Sequence, residues 1–183
     1  MKRIGFVALC LVSALTVGAQ TTGSRTLTPQ KLGFLKGEWS GTLEIQEDAG
    51  EQNGHSTEVT VDFVKKGKKI KYLRAYTDRK GKEVEEKGKI KVSKDGSSVK
   101  FGSETFQVSN FVPAPKEDRY RLILTRREAS GILYRTSVFL SEGKLMMNHE
   151  SKEAAEGSEY TSQRRYFLRE GFFPGIGFKV TFV

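Results

Sequence analysis

From Glu38 onward the apolar positions recur every second residue, and they do so almost to the end of the chain. Trp39, Gly41, Leu43 and Ile45 alternate with Ser40, Thr42, Glu44 and Gln46, the pattern of a strand with one face buried. After the turn-rich stretch Asp48–Gly54, Thr57, Val59, Val61 and Phe63 alternate with Glu58, Thr60 and Asp62. A third run sets Ile70, Tyr72, Arg74 and Tyr76 against Lys69, Lys71, Leu73 and Ala75. A fourth sets Val84, Glu86, Gly88, Ile90 and Val92 against Glu85, Lys87, Lys89 and Lys91. Further runs occupy about Ser98–Phe101, Glu104–Val112, Arg119–Arg127, Ile132–Leu140, Lys144–Glu150 and Glu159–Leu168, parted by breaks such as Gly102, Pro113–Pro115 and Ser130-Gly131. Only Thr28–Leu35 has a helical character: Thr28 caps, Pro29 suits a first helical position, and Leu32, Phe34 and Leu35 give an apolar side before Gly37.

The pattern predicts an all-β chain, a single antiparallel up-and-down β-barrel of nine or ten strands preceded by a short helical turn. Short connections make sequential strands antiparallel neighbours, and closing the sheet removes its unpaired edges.

The two ends read differently. Lys2 and Arg3, the apolar run Ile4–Val17 and the small residues Gly18 and Ala19 have the form of a secretory signal peptide over 1–19, cleaved after Ala19. That places the mature protein in the periplasm or outside the cell. Residues 20–27 read as a flexible leader, 28–170 as the barrel, and 171–183, with Phe172, Phe173, Ile176, Phe178, Val180 and Phe182, as an apolar tail.

Among 183 residues, 31 are Lys or Arg and 22 Asp or Glu, a formal charge of +9. A hydrophobic content of 37% is too low for a multi-span membrane protein, and 10% aromatic residues is too high for a disordered chain. The one cysteine, Cys10, leaves with the signal peptide, so the core alone must hold the mature chain. An outer-membrane barrel would turn apolar residues to lipid. Here one face of the fourth run is charged and the other apolar, which points to an apolar interior.

The segment Leu32–Leu43, LGFLKGEWSGTL, resembles the opening of the calycin group, with a helical turn followed by Gly37-Glu38-Trp39 at the first strand. It is similar to lipocalin-like families, among them nitrobindin-type haem-binding barrels and secreted bacterial lipocalin-like domains of unassigned function. The resemblance implies that Trp39 closes one end of a cavity and that a basic side chain of the last strand, Arg164 or Arg165, packs across it.

Alternation assigns candidate ligand-binding residues to the inner face: Tyr72, Arg74 and Tyr76; Arg126, in register with Tyr120, Leu122 and Leu124; Arg135; Arg164 and Tyr166; and Trp39. Convergent arginines and a tyrosine in an apolar barrel form a site for a carboxylate, which suits a hydrophobic or amphiphilic small molecule. The alternative is that these arginines lie near the barrel ends and pair with Glu86 and Glu104. His149 follows Leu145 and Met147 on one face and is a candidate axial ligand for haem. No other cofactor and no metal site is expected from two histidines and a mature chain without cysteine. Motifs for a nucleophilic serine, a zinc protease or a phosphate loop are missing, so no catalysis is expected. The basic runs Lys65–Lys71 and Lys87–Lys91 could face an anionic envelope surface, with the barrel as a scaffold; nucleic acid is not an expected partner.

Overall fold

The computed structural model describes residues 24–46 and 54–171. The signal peptide and nearly all of the apolar tail expected from the sequence lie outside the described residues.

Ten strands follow one another: β1 (Gly37–Ile45), β2 (His55–Lys66), β3 (Lys69–Thr77), β4 (Glu83–Val92), β5 (Ser98–Phe101), β6 (Glu104–Ala114), β7 (Arg119–Arg127), β8 (Leu133–Ser141), β9 (Lys144–Lys152) and β10 (Thr161–Glu170). Each pairs antiparallel with its neighbours in the chain, and β10 returns to β1, so the sheet closes into an up-and-down barrel. The closing register sets Trp39 opposite Glu170 and Ile45 opposite Arg164. Break residues occur where the alternation lapses, with one shift: β6 runs through Pro113, and the chain turns instead at a 3₁₀ turn over Pro115–Glu117 with Asp118 left-handed.

Successive turns fall at opposite ends of the barrel, and the ends differ in chemistry. At one end lie the turns β2–β3, β4–β5, β6–β7 and β8–β9, together with the N-terminal stretch. The expected helical turn is a 3₁₀ helix, Lys31–Leu35, that puts Leu32 and Leu35 into this end. Phe34 stacks on Tyr120 at 4.7 Å, and the Trp39 indole, 3% exposed, donates through Nε1 to the Leu35 carbonyl at 3.0 Å. The stretch read as a flexible leader is tied down from Ser24 on. Ser24 exchanges backbone hydrogen bonds with Phe111, and Leu27, 1% exposed, donates its amide to the Gly96 carbonyl. Gly96 sits at φ +74°, and a Cβ there would overlap the Leu27 carbonyl oxygen, so this contact needs glycine.

Inward-facing residues grade along the barrel axis. On β3 they run from Ile70 to Arg74, on β4 from Ile90 to Glu86, on β8 from Leu140 to Thr136, on β9 from Leu145 to His149, and on β10 from Leu168 to Arg164. The aliphatic residues are at the plugged end, where they form a packed core with Leu43, Val61, Phe63, Val99, Phe111 and Leu122. Burying charge is costly unless it is paired or near water, so the polar ends of these rows must lie at an opening or meet one another. They do both.

Candidate functional site

The end of the barrel away from Trp39 holds a cavity of about 440 Å³, lined by Tyr72, Arg74, Glu86, Phe101–Phe106 in part, Tyr134–Thr136, His149, Glu150, Gln163 and Arg164. Its wall is aromatic. Tyr72 stacks on Phe101 at 5.1 Å, and Phe106 and Tyr134 complete the apolar side. Tyr72 reaches this position because Gly88 stands opposite it on β4 and leaves room for the ring.

The floor is a network of charges. Arg74, 9% exposed, donates through Nη2 to Glu86 Oε2 and through Nη1 to the Tyr166 hydroxyl. Tyr76 donates its hydroxyl to Glu86 Oε1 at 3.0 Å. Arg164 Nη1 lies 4.0 Å from that same Oε1, and its side chain is 39% exposed. Glu86 thus answers Arg74 and Tyr76 at hydrogen-bond distance and Arg164 only at arm's length. The remaining carboxylates of the lining are spoken for: Arg135 Nε donates to Glu150 at 2.6 Å, and Arg126 donates to Glu104 at 2.8 Å. Among the described residues, Arg164 is the cation of this cavity without a carboxylate of its own.

His149 stands between the two arginines. Its Nδ1 shares a hydrogen bond with Thr136 Oγ1 at 3.0 Å, and the rings of Phe101 and Tyr166 approach edge-on at 6.0 and 5.8 Å. The ring touches the cavity but is otherwise enclosed by protein. This enclosure, followed by the charges of Arg74 and Arg164, lowers its pKa from 6.5 to about 4, so the imidazole is neutral at pH 7. Tyr166 is fully buried, and burial raises its phenol pKa despite the two cations, so it meets Arg74 as a protonated hydroxyl.

Tyr72, Arg74, Arg135, Arg164 and His149 therefore meet at one cavity, while Trp39, Tyr76, Arg126 and Tyr166 do not line it. Tyr76 and Tyr166 brace the floor from behind. Arg126 sits at the rim, its guanidinium 4.1 Å from the Tyr134 ring centre and bonded to Glu104 and Glu128. Arg135 comes from the other face of β8, whose inward residues are Thr136, Val138 and Leu140; it stacks on Tyr160 at 3.9 Å and borders the cavity through Glu150. The pairings weighed against a cationic site, with Glu86 and Glu104, are both present, for Arg74 and Arg126.

The inward placement of Arg135 is thus corrected, and so is the packing expected at Trp39. Neither Arg164 nor Arg165 packs across Trp39: the closing register carries Arg164 to Ile45 at the far end of β1, and Arg165 lies 3.9 Å from Glu44. Glu86, Glu150, Thr136 and Gln163 were not anticipated as lining residues. Glu86 shares its face with Ile90, a signal that was present in the alternation. Gln163 is the extra residue of a bulge between Ser162 and Arg164, where the faces of β10 fall out of step with β9 and bring Glu150, Gln163 and Arg164 to the same space.

No protein-family model matches the chain, and no curated protein is similar to it in sequence. Among solved structures it is similar to Rv2717c from M. tuberculosis, with a TM-score of 0.54 and 17% identity over 78% of this chain and 96% of that one. At that identity the likeness is one of fold.

Proposed function

We propose that the protein is a calycin-type binding barrel that holds a small amphiphile without chemically changing it, the anionic end on Arg164 and the apolar body against Tyr72, Phe101, Phe106 and Tyr134. The observation that carries this reading is the cavity of about 440 Å³, open at the end opposite the plug, with an under-partnered arginine facing it. That volume lies at the low end of the range for small-molecule pockets, about 300–1,000 Å³, which favours a compact ligand over a long acyl chain. A guanidinium whose nearest carboxylate is shared and distant gains most from a ligand carboxylate. The basic and then apolar opening of the chain supports an activity outside the cytoplasm.

The test is native mass spectrometry of the purified protein, extraction of what it carries, and calorimetry with a panel of aromatic and short aliphatic carboxylates. Binding is expected, and Arg164→Gln should weaken it about tenfold to hundredfold, the worth of a charge-assisted hydrogen bond. An empty protein with no affinity for the panel, or unchanged affinity in Arg164→Gln, overturns the proposal.

A second reading, haem held by His149, rests on the neutral imidazole with Nδ1 fixed by Thr136, an arrangement that orients a metal-binding histidine. It predicts a Soret band on haem addition that is lost in His149→Ala; no band removes this reading and leaves the first intact.

A further inference from the structure

The outward faces of β2–β5 carry a feature that the cavity does not explain. Lys66 pairs with Lys69, Lys69 with Lys91, and Lys91 with Lys100, so four lysines stand directly opposite one another across four adjacent strands. Beside this row Lys71 faces Lys89, Lys65 lies near the end of β2, and Lys68 and Lys94 lie in the flanking turns. All but Lys71 are exposed, and among the described residues none of these lysines makes an ion pair, whereas Lys87 nearby meets Glu85 at 2.7 Å.

Neighbouring strands are about 4.8 Å apart, so each ammonium in the row has a like charge well within a Debye length of about 8 Å. Like charges placed directly across a sheet oppose folding. Nothing in the barrel requires lysine at these outward positions, and an alternating acid on any one strand would have relieved the repulsion.

We infer that this face of β2–β5 docks an acidic polysaccharide, its carboxylates or sulfates lying along the row of Lys66, Lys69, Lys91 and Lys100. A row of evenly spaced point charges running across the strands of a curved wall is followed by a flexible chain and touched only in part by a flat bilayer. The large hydrophobic side chains exposed among the described residues, Met146 and Phe167, lie on β9 and β10, so the lysine face offers nothing to insert into a membrane. Neither arginine nor an outward aromatic ring stands between the lysines, as stacking and forked phosphate recognition of nucleic acid would call for. The row starts beside the β2–β3 turn at the plugged end and reaches Lys100, next to Phe101 of the cavity wall. The inference stands independently of what the cavity holds.

The experiment measures affinity of the full protein for alginate and for heparin at about 0.1 M salt. It compares the wild type with Lys69→Gln/Lys91→Gln and with a charge-matched control, Lys80→Gln/Lys82→Gln, in the turn at the mouth. Each lysine held near an anionic surface contributes about fivefold, so the row variant should bind about thirtyfold more weakly, with the control near wild type. Its melting temperature should equal or exceed that of the wild type, because the change removes repulsion. Equal losses in both variants would mean that net charge alone attracts the polymer and would overturn the inference. So would absence of polysaccharide binding at this salt, or tighter binding to phosphatidylglycerol vesicles or single-stranded DNA with the same dependence on Lys69 and Lys91.

Discussion

Gly88→Ala tests the origin of the aromatic wall. A Cβ at Gly88 would lie 2.5 Å from Tyr72 Cε1 and closer still to the ring's Cζ and hydroxyl, so one of the two must move. The backbone of β4 is ordinary strand, and Gly88 has no left-handed φ to lose. Glycine to alanine in such a strand is otherwise expected to stabilise by about 0.4–1 kcal/mol, through the unfolded chain. In this barrel the sign should reverse. Tyr72 must leave its stack on Phe101 and turn into the cavity, at a cost of about 1–3 kcal/mol for overpacking. At 2 kcal/mol, the melting temperature of a domain this size falls by about 4–8 °C. The assay is urea unfolding of four proteins: wild type, Gly88→Ala, Tyr72→Leu and the double variant. In the Tyr72→Leu background, Gly88→Ala should become neutral or stabilising, giving a coupling of about 2–3 kcal/mol. If it costs the same in both backgrounds, the ring is not what Gly88 accommodates.

Three further outcomes follow from the site and the plug. Because the His149 pKa is about 4 when folded against 6.5 ordinarily, the unfolded chain takes up a proton between those values that the folded one refuses. Stability should therefore fall as pH drops through that window, by at most about 3 kcal/mol from this group, and His149→Gln should show a shallower fall; parallel curves would refute the assignment. Glu86→Gln leaves Arg74 short of its counter-charge. With about a third of the Glu86 side chain in water, the cost should be about 2–3 kcal/mol by chemical denaturation, below the 3–5 of a fully buried pair; a loss under about 0.5 kcal/mol would mean that the pair is no more than a surface contact. Trp39, the only tryptophan, should emit at short wavelength, resist acrylamide quenching and ignore a ligand at the other end; a ligand-induced shift would place binding beside the plug.

Alternation carried most of the fold. The period-two runs gave the strands, and the inner faces of β3, β4, β9 and β10 could be read residue by residue, with Arg74, His149 and Arg164 among them. What alternation cannot carry is closure. Sliding β10 along β1 by an even number of residues keeps every side chain on its face, so Arg164 beside Trp39 and Arg164 beside Ile45 have the same pattern. The shear of the barrel decides between them, and it is a global property of all ten strands. The Gln163 bulge is invisible for a related reason: one extra residue leaves a run that still alternates on both sides. Arg135 shows the limit at the rim, where a long side chain from the outer face reaches the same water as the inner one.

The gradient from aliphatic plug to polar mouth separates two evolutionary pressures. Leu27, Leu35, Trp39 and Phe111 hold the barrel shut and tolerate little change in volume, while Tyr72, Tyr134, Thr136 and Gln163 border open space, where a change of size alters the cavity more than the core. Effects at the two ends should combine additively where the substituted residues lie more than about 10 Å apart. Related barrels would then diverge fastest around the mouth, and an engineer wanting a new cargo could rewrite those positions as a library without re-solving the folding problem.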